Sequence, residues 1–294
     1  MAGPDYRRSA VLEAELSGLE NLESPSAARG GRAGRVWAKT WPPVAAIGIA
    51  IGLWQVVVLS EWRPGFLLPG PGPVFRRLAR DLAGDNLLRA VGITLSRAGV
   101  GYLLAIVVGT TLGLAVARIR PLRVAVGSLI AGLQTMPSIA WFPLAILLFQ
   151  LSETAILFVV VLGAAPAIAS GLISGIDHVP PVLLRAGRVL GARGIRALRH
   201  IVLPAALPGF VAGMKQGWAF AWRSLMAGEL LVILPGRPSL GADLTFAREL
   251  SDAEGILAAM VVILIIGIGV DALAFGKLER IIRRRRGLVD PASP

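Results

Sequence analysis

Charged side chains inside apolar stretches are the costliest residues a sequence can carry, and one stretch here holds three. Lys215, Arg223 and Glu229 lie in the stretch at about 205–232, which is otherwise apolar over a length sufficient to cross a bilayer. A charge at the bilayer centre costs about 2.5–3.5 kcal/mol on insertion scales, so such groups face protein or water. At about 100° per residue, Lys215, Trp218, Trp222, Met226 and Glu229 fall within an arc of about 80°, a stripe with polar ends and an aromatic middle. That stripe is a candidate pore-lining face for a polar solute. The plainer reading sets Lys215 and Glu229 at the two interfaces and packs the tryptophans between helices. Arg223 stands about 100° from the centre of the stripe. It reads first as half of an ion pair and second as a contact for an anionic solute.

A second cluster interrupts an over-long apolar stretch at residues 124–150. Gln134, Met136, Pro137 and Trp141, with Thr135 and Ser138, break the helix at membrane depth. Irregular backbone is tolerated there only where protein or a water-filled cavity covers it. The functional reading is a gate or solute passage, the plainer one a packing kink.

The third feature is a polar interruption between two apolar stretches, Leu183 to Pro208, with five arginines: Arg185, Arg188, Arg193, Arg196 and Arg199. Ala186, Val189 and Leu190 recur at helical spacing, Gly191 and Gly194 break the run, and Ile195, Leu198, Ile201 and Val202 resume it before Leu203 and Pro204 open the next span. Two short amphipathic helices with a glycine hinge, lying at the membrane surface, are expected. Such a basic loop belongs on the cytoplasmic side.

Catalytic chemistry finds little support. Nothing fits G-x-x-x-x-G-K-[ST], so the chain has no phosphate-binding loop of its own. The two histidines, His178 and His200, both flank the basic loop, cysteine is absent, and no carboxylates sit at metal-binding spacing. Serines occur without an identifiable base. A non-catalytic chain that binds neither metal nor nucleotide is expected.

The positioning elements follow from composition. With 55% apolar and 16% charged residues and a mean hydropathy of +0.70 over 294 residues, the chain is an integral membrane protein. Six spans are expected, at about 43–60, 98–117, 124–150, 154–176, 205–232 and 255–276, each near the roughly 20 residues a bilayer requires. The net charge of +12 comes from Lys and Arg clustered beside these spans, so nucleic-acid binding carries no weight. Twenty of the 30 basic residues fall on one side when both termini are placed inside, which favours a multi-pass chain with cytoplasmic termini. Residues 1–40 read as a disordered cytoplasmic tail and 281–294 as a basic one. Residues 41–97 hold the first span and an interfacial helix, with Val74, Phe75, Leu78 and Leu82 against the membrane and Arg76, Arg77 and Arg80 snorkelling to headgroups. Residues 98–280 form the core, its basic loop at 178–204. Gly109 and Gly113 mark a close-packing helix face, available to a second copy of the chain.

An Ala, a Gly five residues later, an Ile ten beyond it and then Leu-Pro resemble the cytoplasmic loop of permease subunits in ABC importers. FLLPGPGPV, LIAGLQTMPSIAWFPLAILLF, ETAILFVVVLGAAPAI and AWRSLMAGELL, in this order around the loop, resemble the nitrate, sulfonate and taurine branch. The resemblance covers roughly Phe66 to Arg285. It implies an all-α membrane fold of six spans in the bacterial inner membrane. It also implies a docking surface for an ATPase subunit made by Leu184, Arg185, Ala186, Gly187, Val189, Leu190, Gly191, Ala192, Ile201, Leu203 and Pro204. ATP and magnesium would sit on that subunit, a second permease copy would complete the pathway, and a periplasmic binding protein would deliver a small solute such as a sulfonate, taurine or nitrate. Two positions depart from the pattern: Arg185 replaces an acidic residue and Gly187 an alanine. A secondary transporter or channel needing no ATPase is the competing class; its inverted repeats would carry matching broken helices, and the sequence shows one clear break. A purely structural membrane anchor is opposed by the embedded charges.

Overall fold

The structure, a computed structural model, describes residues 32–285. It comprises two compact units, one ending at Leu53 and the other beginning at Trp54. In the first, the described residues belong to helix α1 (Arg32–Leu59), whose apolar part, Trp41–Leu59, is long enough to cross a membrane. Helix therefore begins inside the segment expected to be an unstructured tail. The rest of that expectation, residues 1–31, and the terminal segment 286–294 lie outside the described residues.

The second unit is built around α6 (Glu153–Asp177), flanked by α3 (Asp85–Arg118) and α9 (Leu203–Leu231). Helix α6 is apolar on all sides, from Ala155 to Leu172, as a helix surrounded by protein must be. Helix α3 buries Thr94, Arg97, Ala98, Gly101, Ala105, Gly109 and Gly113, one face at intervals of three and four residues. Small residues on that face bring the two backbones together: a Cβ at Gly109 would lie 2.6 Å from the carbonyl oxygen of Ala165, and one at Gly113 3.1 Å from that of Ala169. Gly109 and Gly113 thus pack within the chain, against α6, and are not free to receive a second copy.

Helix α4 (Arg120–Thr135) and α5 (Phe142–Phe149) are joined by a short 3₁₀ turn, Ser138–Trp141. The pair bends by 104°. Pro137 forces the residue before it out of the helical region, and Met136 accordingly sits at φ −75°, ψ 130°. Helix α11 (Ala253–Val270) continues through a π-helical turn, Asp271–Phe275, into α12 (Gly276–Arg285). Among the described residues five helices are long and apolar enough to cross a membrane, or six if the bent pair counts as one span.

Two segments before the core differ from expectation. Helix α3 starts at Asp85, not near residue 98, and carries Arg97 into the bundle because that charge is neutralised there. The short α2 (Pro71–Ala83) is amphipathic as expected, with Val74 buried. Two of its three arginines, however, find carboxylates: Arg77 Nη1 lies 2.7 Å from Asp252 and its Nε 3.0 Å from Asp81, while Arg80 lies 3.7 Å from Glu254. These pairs tie α2 to the start of α11.

At the opposite end of the bundle, Arg123 pairs with Asp177, and the basic loop follows in α7 (Pro181–Val189) and α8 (Ile195–Ala197). A further amphipathic helix, α10 (Leu240–Glu249), lies at the α2 end, with Ser239 accepting the Ala242 N–H at its start.

Candidate docking loop and solute cleft

The loop is rigid at its base and apolar at its tip. Pro180 and Pro181 start α7, where a missing N–H costs no helical hydrogen bond. The helix ends as Leu190 donates to the Ala186 carbonyl at 3.1 Å and Ala192 to the Gly187 carbonyl at 2.8 Å. Gly191 and Gly194 then take φ values of +79° and +55°, a region where a Cβ is strained. Gly187 is buried, and Ile201 of the π-helical turn Leu198–Val202 fills the space an alanine methyl would occupy. That contact gives the departure at Gly187 a physical reason: glycine and Ile201 fit each other. Leu184, Ala192, Ile201 and Leu203 are half-buried, and Pro204 falls in the first turn of α9.

At the tip, Val189 is 88% exposed and Leu190 86%, with Ile195 beside them in sequence at 75%. Arg185, Ala186, Arg188, Arg193 and Arg196 are also exposed. Exposed aliphatic side chains on a loop held by glycine turns and a buried Gly–Ile contact form a preformed apolar knuckle with a basic surround, which is the anatomy of a protein interface.

The second candidate is a largely apolar cleft of about 1040 Å³ between α9 and α11, lined by Trp218, Trp222, Arg223, Met226, Ile139 and Leu264 among others. Trp218 and Trp222 stack with centroids 6.0 Å apart, and Tyr102 meets Trp218 edge-on at 5.3 Å while donating to the Met214 carbonyl at 2.8 Å. Both indoles are mostly buried, so they serve the core and the cleft together. Lys215 lies at the loop end of the cleft, 3.5 Å from Asp271 and 3.9 Å from Glu279.

The stripe anticipated from helical spacing is thus divided. Trp218, Trp222 and Met226 line the cleft, Lys215 is in an ion pair beside it, and Glu229 is turned away, fully buried. The cluster in the broken span is likewise divided: Gln134 donates to Ser170 of α6 at 2.8 Å, Trp141 packs on the core, Met136 and Pro137 are exposed, and Ile139 alone from that break reaches the cleft. Arg223, read first as half of an ion pair, has no carboxylate partner among the described residues. Its Nε donates to the Ala219 carbonyl at 3.1 Å, and its guanidinium lies 4.8 Å from the Phe220 ring centroid.

Sequence reading missed a buried polar centre that joins four elements. Glu229, 0% exposed, accepts from Arg97 Nη1 at 3.0 Å, from the Thr94 hydroxyl at 2.9 Å and from the Gly241 N–H at 3.2 Å. Arg97, 5% exposed, also donates to Glu153 at 3.1 Å, and Arg237 pairs with the same carboxylate. The Thr94 hydroxyl in turn accepts the Leu240 N–H at 3.1 Å, so the centre caps the start of α10 with negative charge. One signal was present: opposite charges, Arg97 and Glu229, each embedded in an apolar run.

Beside it, Asp243 lines a smaller cavity of about 360 Å³ with Arg77, Asp81 and Asp252. Burial, reinforced by the carboxylates of Glu229 and Asp81, pushes its carboxyl up to about 6. The folded chain therefore binds this proton more tightly than the unfolded chain, and stability declines as pH rises from about 4 to about 6. Asp243→Asn is expected to add on the order of 1 kcal/mol of stability at pH 7, after allowance for solvent screening of a half-exposed carboxylate, seen as a higher thermal midpoint, with little gain at pH 4. Thermal melts of both proteins in detergent across that range check it.

The arrangement defines a class before it defines a family: a polytopic helical membrane protein with a cleft beside its spans and an exposed basic loop at one end. The fold matches that of the inward-facing MetNI methionine ABC transporter, with a TM-score of 0.58 and 22% identity over 67% of this chain and 96% of that one. The family model for the inner membrane component of binding-protein-dependent transport systems matches residues 105–286. A riboflavin transport system permease protein of Chloroflexus aurantiacus is 32% identical over 83% of this chain and 91% of its own. The taurine transport system permease protein of Escherichia coli is 28% identical over 77% and 86%. The chain belongs to the binding-protein-dependent inner membrane components, the permease family of ABC importers.

Proposed function

We propose that this chain is the permease subunit of an ABC importer that docks on a separate ATPase subunit through the loop at 178–204. The observation that carries the reading is the exposed knuckle of Val189, Leu190 and Ile195 on a loop whose base is fixed by Gly187 and Ile201. A soluble ATPase partner, which the family implies, would cover those side chains. ATP and magnesium sit on that partner; this chain transmits its movement from the loop into α9, which the loop enters without a break. The loop faces the cytoplasm, as do both termini, in a bacterial inner membrane. A second permease copy completes the pathway, and a periplasmic binding protein presents the solute at the α2 end. The solute is a small anion such as a sulfonate, taurine or nitrate; a relative named for taurine and the basic cleft residue Arg223 support that choice.

Gly191→Arg tests the docking. Nothing lies within 4 Å of a Cβ there, so the substitution acts through the positive φ and through bulk at the knuckle, not through the membrane core. Affinity capture of detergent-solubilised protein from native membranes should bring an ATPase subunit with the wild type, and at least about tenfold less with the variant, equivalent to about 1.4 kcal/mol at the interface. A chain that comes alone and moves solute in liposomes without ATP would replace this reading with a secondary transporter.

A further inference from the structure

Two other basic side chains that the described structure places deep in the spans, Arg97 and Lys215, are matched by carboxylates. Arg97 has Glu229 and Glu153, and Lys215 has Asp271 and Glu279. Arg223 has none among the described residues, although it lies eight residues, about 12 Å of helix, inside the end of α9 at Leu231. One of its N–H groups is spent on the Ala219 carbonyl; the rest of the fork points out from an exposed side chain at the rim of the cleft. A guanidinium left unpaired in hydrocarbon is costly, and this fold avoids that cost at Arg97 and Lys215. The cleft it borders is otherwise apolar: its lining holds two charged side chains, Arg223 and Asp271, and Asp271 is neutralised by Lys215.

We infer that Arg223 faces a water-filled solute path and is the contact for the oxyanion headgroup of an organic solute, a sulfonate or carboxylate, whose remaining body rests on the apolar wall formed by Trp222 and Met226. This rests on the importer reading and names within it the residue that selects for charge. The guanidinium presents parallel N–H donors that match two oxygens of such a group, and in a cleft with little competing polarity that pairing is both strong and directional. Lys215 does not serve the same purpose, because its ammonium is already held by two carboxylates.

The chain contains no cysteine, so a single introduced thiol is unique. Ala219→Cys places one on the cleft wall one turn from Arg223. In membranes carrying the assembled complex, this thiol is expected to react roughly three- to fivefold faster with an anionic methanethiosulfonate than with a trimethylammonium one, from attraction to the neighbouring charge. Adding Arg223→Gln should abolish the preference, Arg223→Lys should keep part of it, and millimolar methanesulfonate should slow labelling only while the positive charge is present. A thiol that neither reagent reaches, or a preference indifferent to Arg223→Gln, overturns the inference. Co-purification of an ATPase, measured on the same variants, separates the two claims. An ATPase retained with no anion preference removes Arg223 from the path and leaves the importer intact; a preference without any ATPase does the reverse.

Discussion

Glu229→Ala is expected to cost about 3–5 kcal/mol of stability, enough to leave little folded protein in detergent at 37 °C. Removing one member of a buried ion pair leaves the other as an uncompensated charge, and a typical protein has only about 5–15 kcal/mol in total. Here the charge left behind is Arg97, 5% exposed, with Glu153 as its remaining partner; the Thr94 hydroxyl and the Gly241 N–H lose their acceptor at the same time. Glu229→Gln keeps the shape and both of those hydrogen bonds, and should cost less than the alanine. The informative variant is the double one, Arg97→Met with Glu229→Leu. Replacing both charges by apolar side chains of similar size removes the desolvation penalty along with the attraction, so it should recover much of the loss of either single change. Thermal unfolding followed through the tryptophans, in a full double-mutant cycle, measures the coupling. Single changes that each cost under about 1 kcal/mol and simply add would show that the centre is not what joins α3, α6, α9 and α10.

That centre also marks where the sequence stopped being legible. Hydropathy and charge clustering gave the spans, because a bilayer imposes a length and a polarity that can be counted along the chain. The loop was legible for a local reason: glycines at 191 and 194 interrupt a helical period, and both prove to need positive φ. The pairing of Arg97 with Glu229 spans 132 residues, and hydropathy records only that each is costly, not that they cancel. Counting Arg97 outside the membrane pushed the start of α3 too far along by thirteen residues, from Asp85 to 98. Arg77 and Arg80 posed the same problem at the interface: headgroups and carboxylates both satisfy an arginine, and Asp252 lies too far along the sequence to be seen as the choice. The residues of the α9 stripe do not face one space, since a helix in a bundle has more than one protein-facing side. Glu229 and Met226 lie on one arc, yet the first meets α3 and α10 and the second the cleft.

Gly171→Val is expected to be nearly as damaging as the loss of Glu229, for a reason that involves no charge. A Cβ at Gly171 would lie 2.3 Å from the Cα of Gly213 and 2.7 Å from its nitrogen; one at Gly209 would lie 2.6 Å from the Cα of Gly175, and one at Gly175 2.5 Å from the Ala206 carbonyl oxygen. Each of these contacts is with backbone, so no rotamer change can relieve it; α6 and α9 would have to move apart along much of their contact. Without a hydrophobic force between helices in lipid, close van der Waals packing of this kind is what holds them. Overpacking costs about 1–3 kcal/mol for an added methyl or two, and the upper end applies where both walls are main chain. Even Gly171→Ala should destabilise, although alanine gains about 1 kcal/mol over glycine in an exposed helix. Gly127→Ala in α4 supplies the control, because nothing lies within 4 Å of its Cβ and the propensity gain should stand alone. Opposite shifts in melting temperature for the two alanine variants in the same detergent are the expected result. Shifts of the same sign and size would mean that α6 and α9 do not touch at these glycines. Separation of the two helices would also displace Trp218 and the first turn of α9, which follows the basic loop, so under the proposed importer function Gly171→Val should reduce ATPase capture even in the fraction that remains folded.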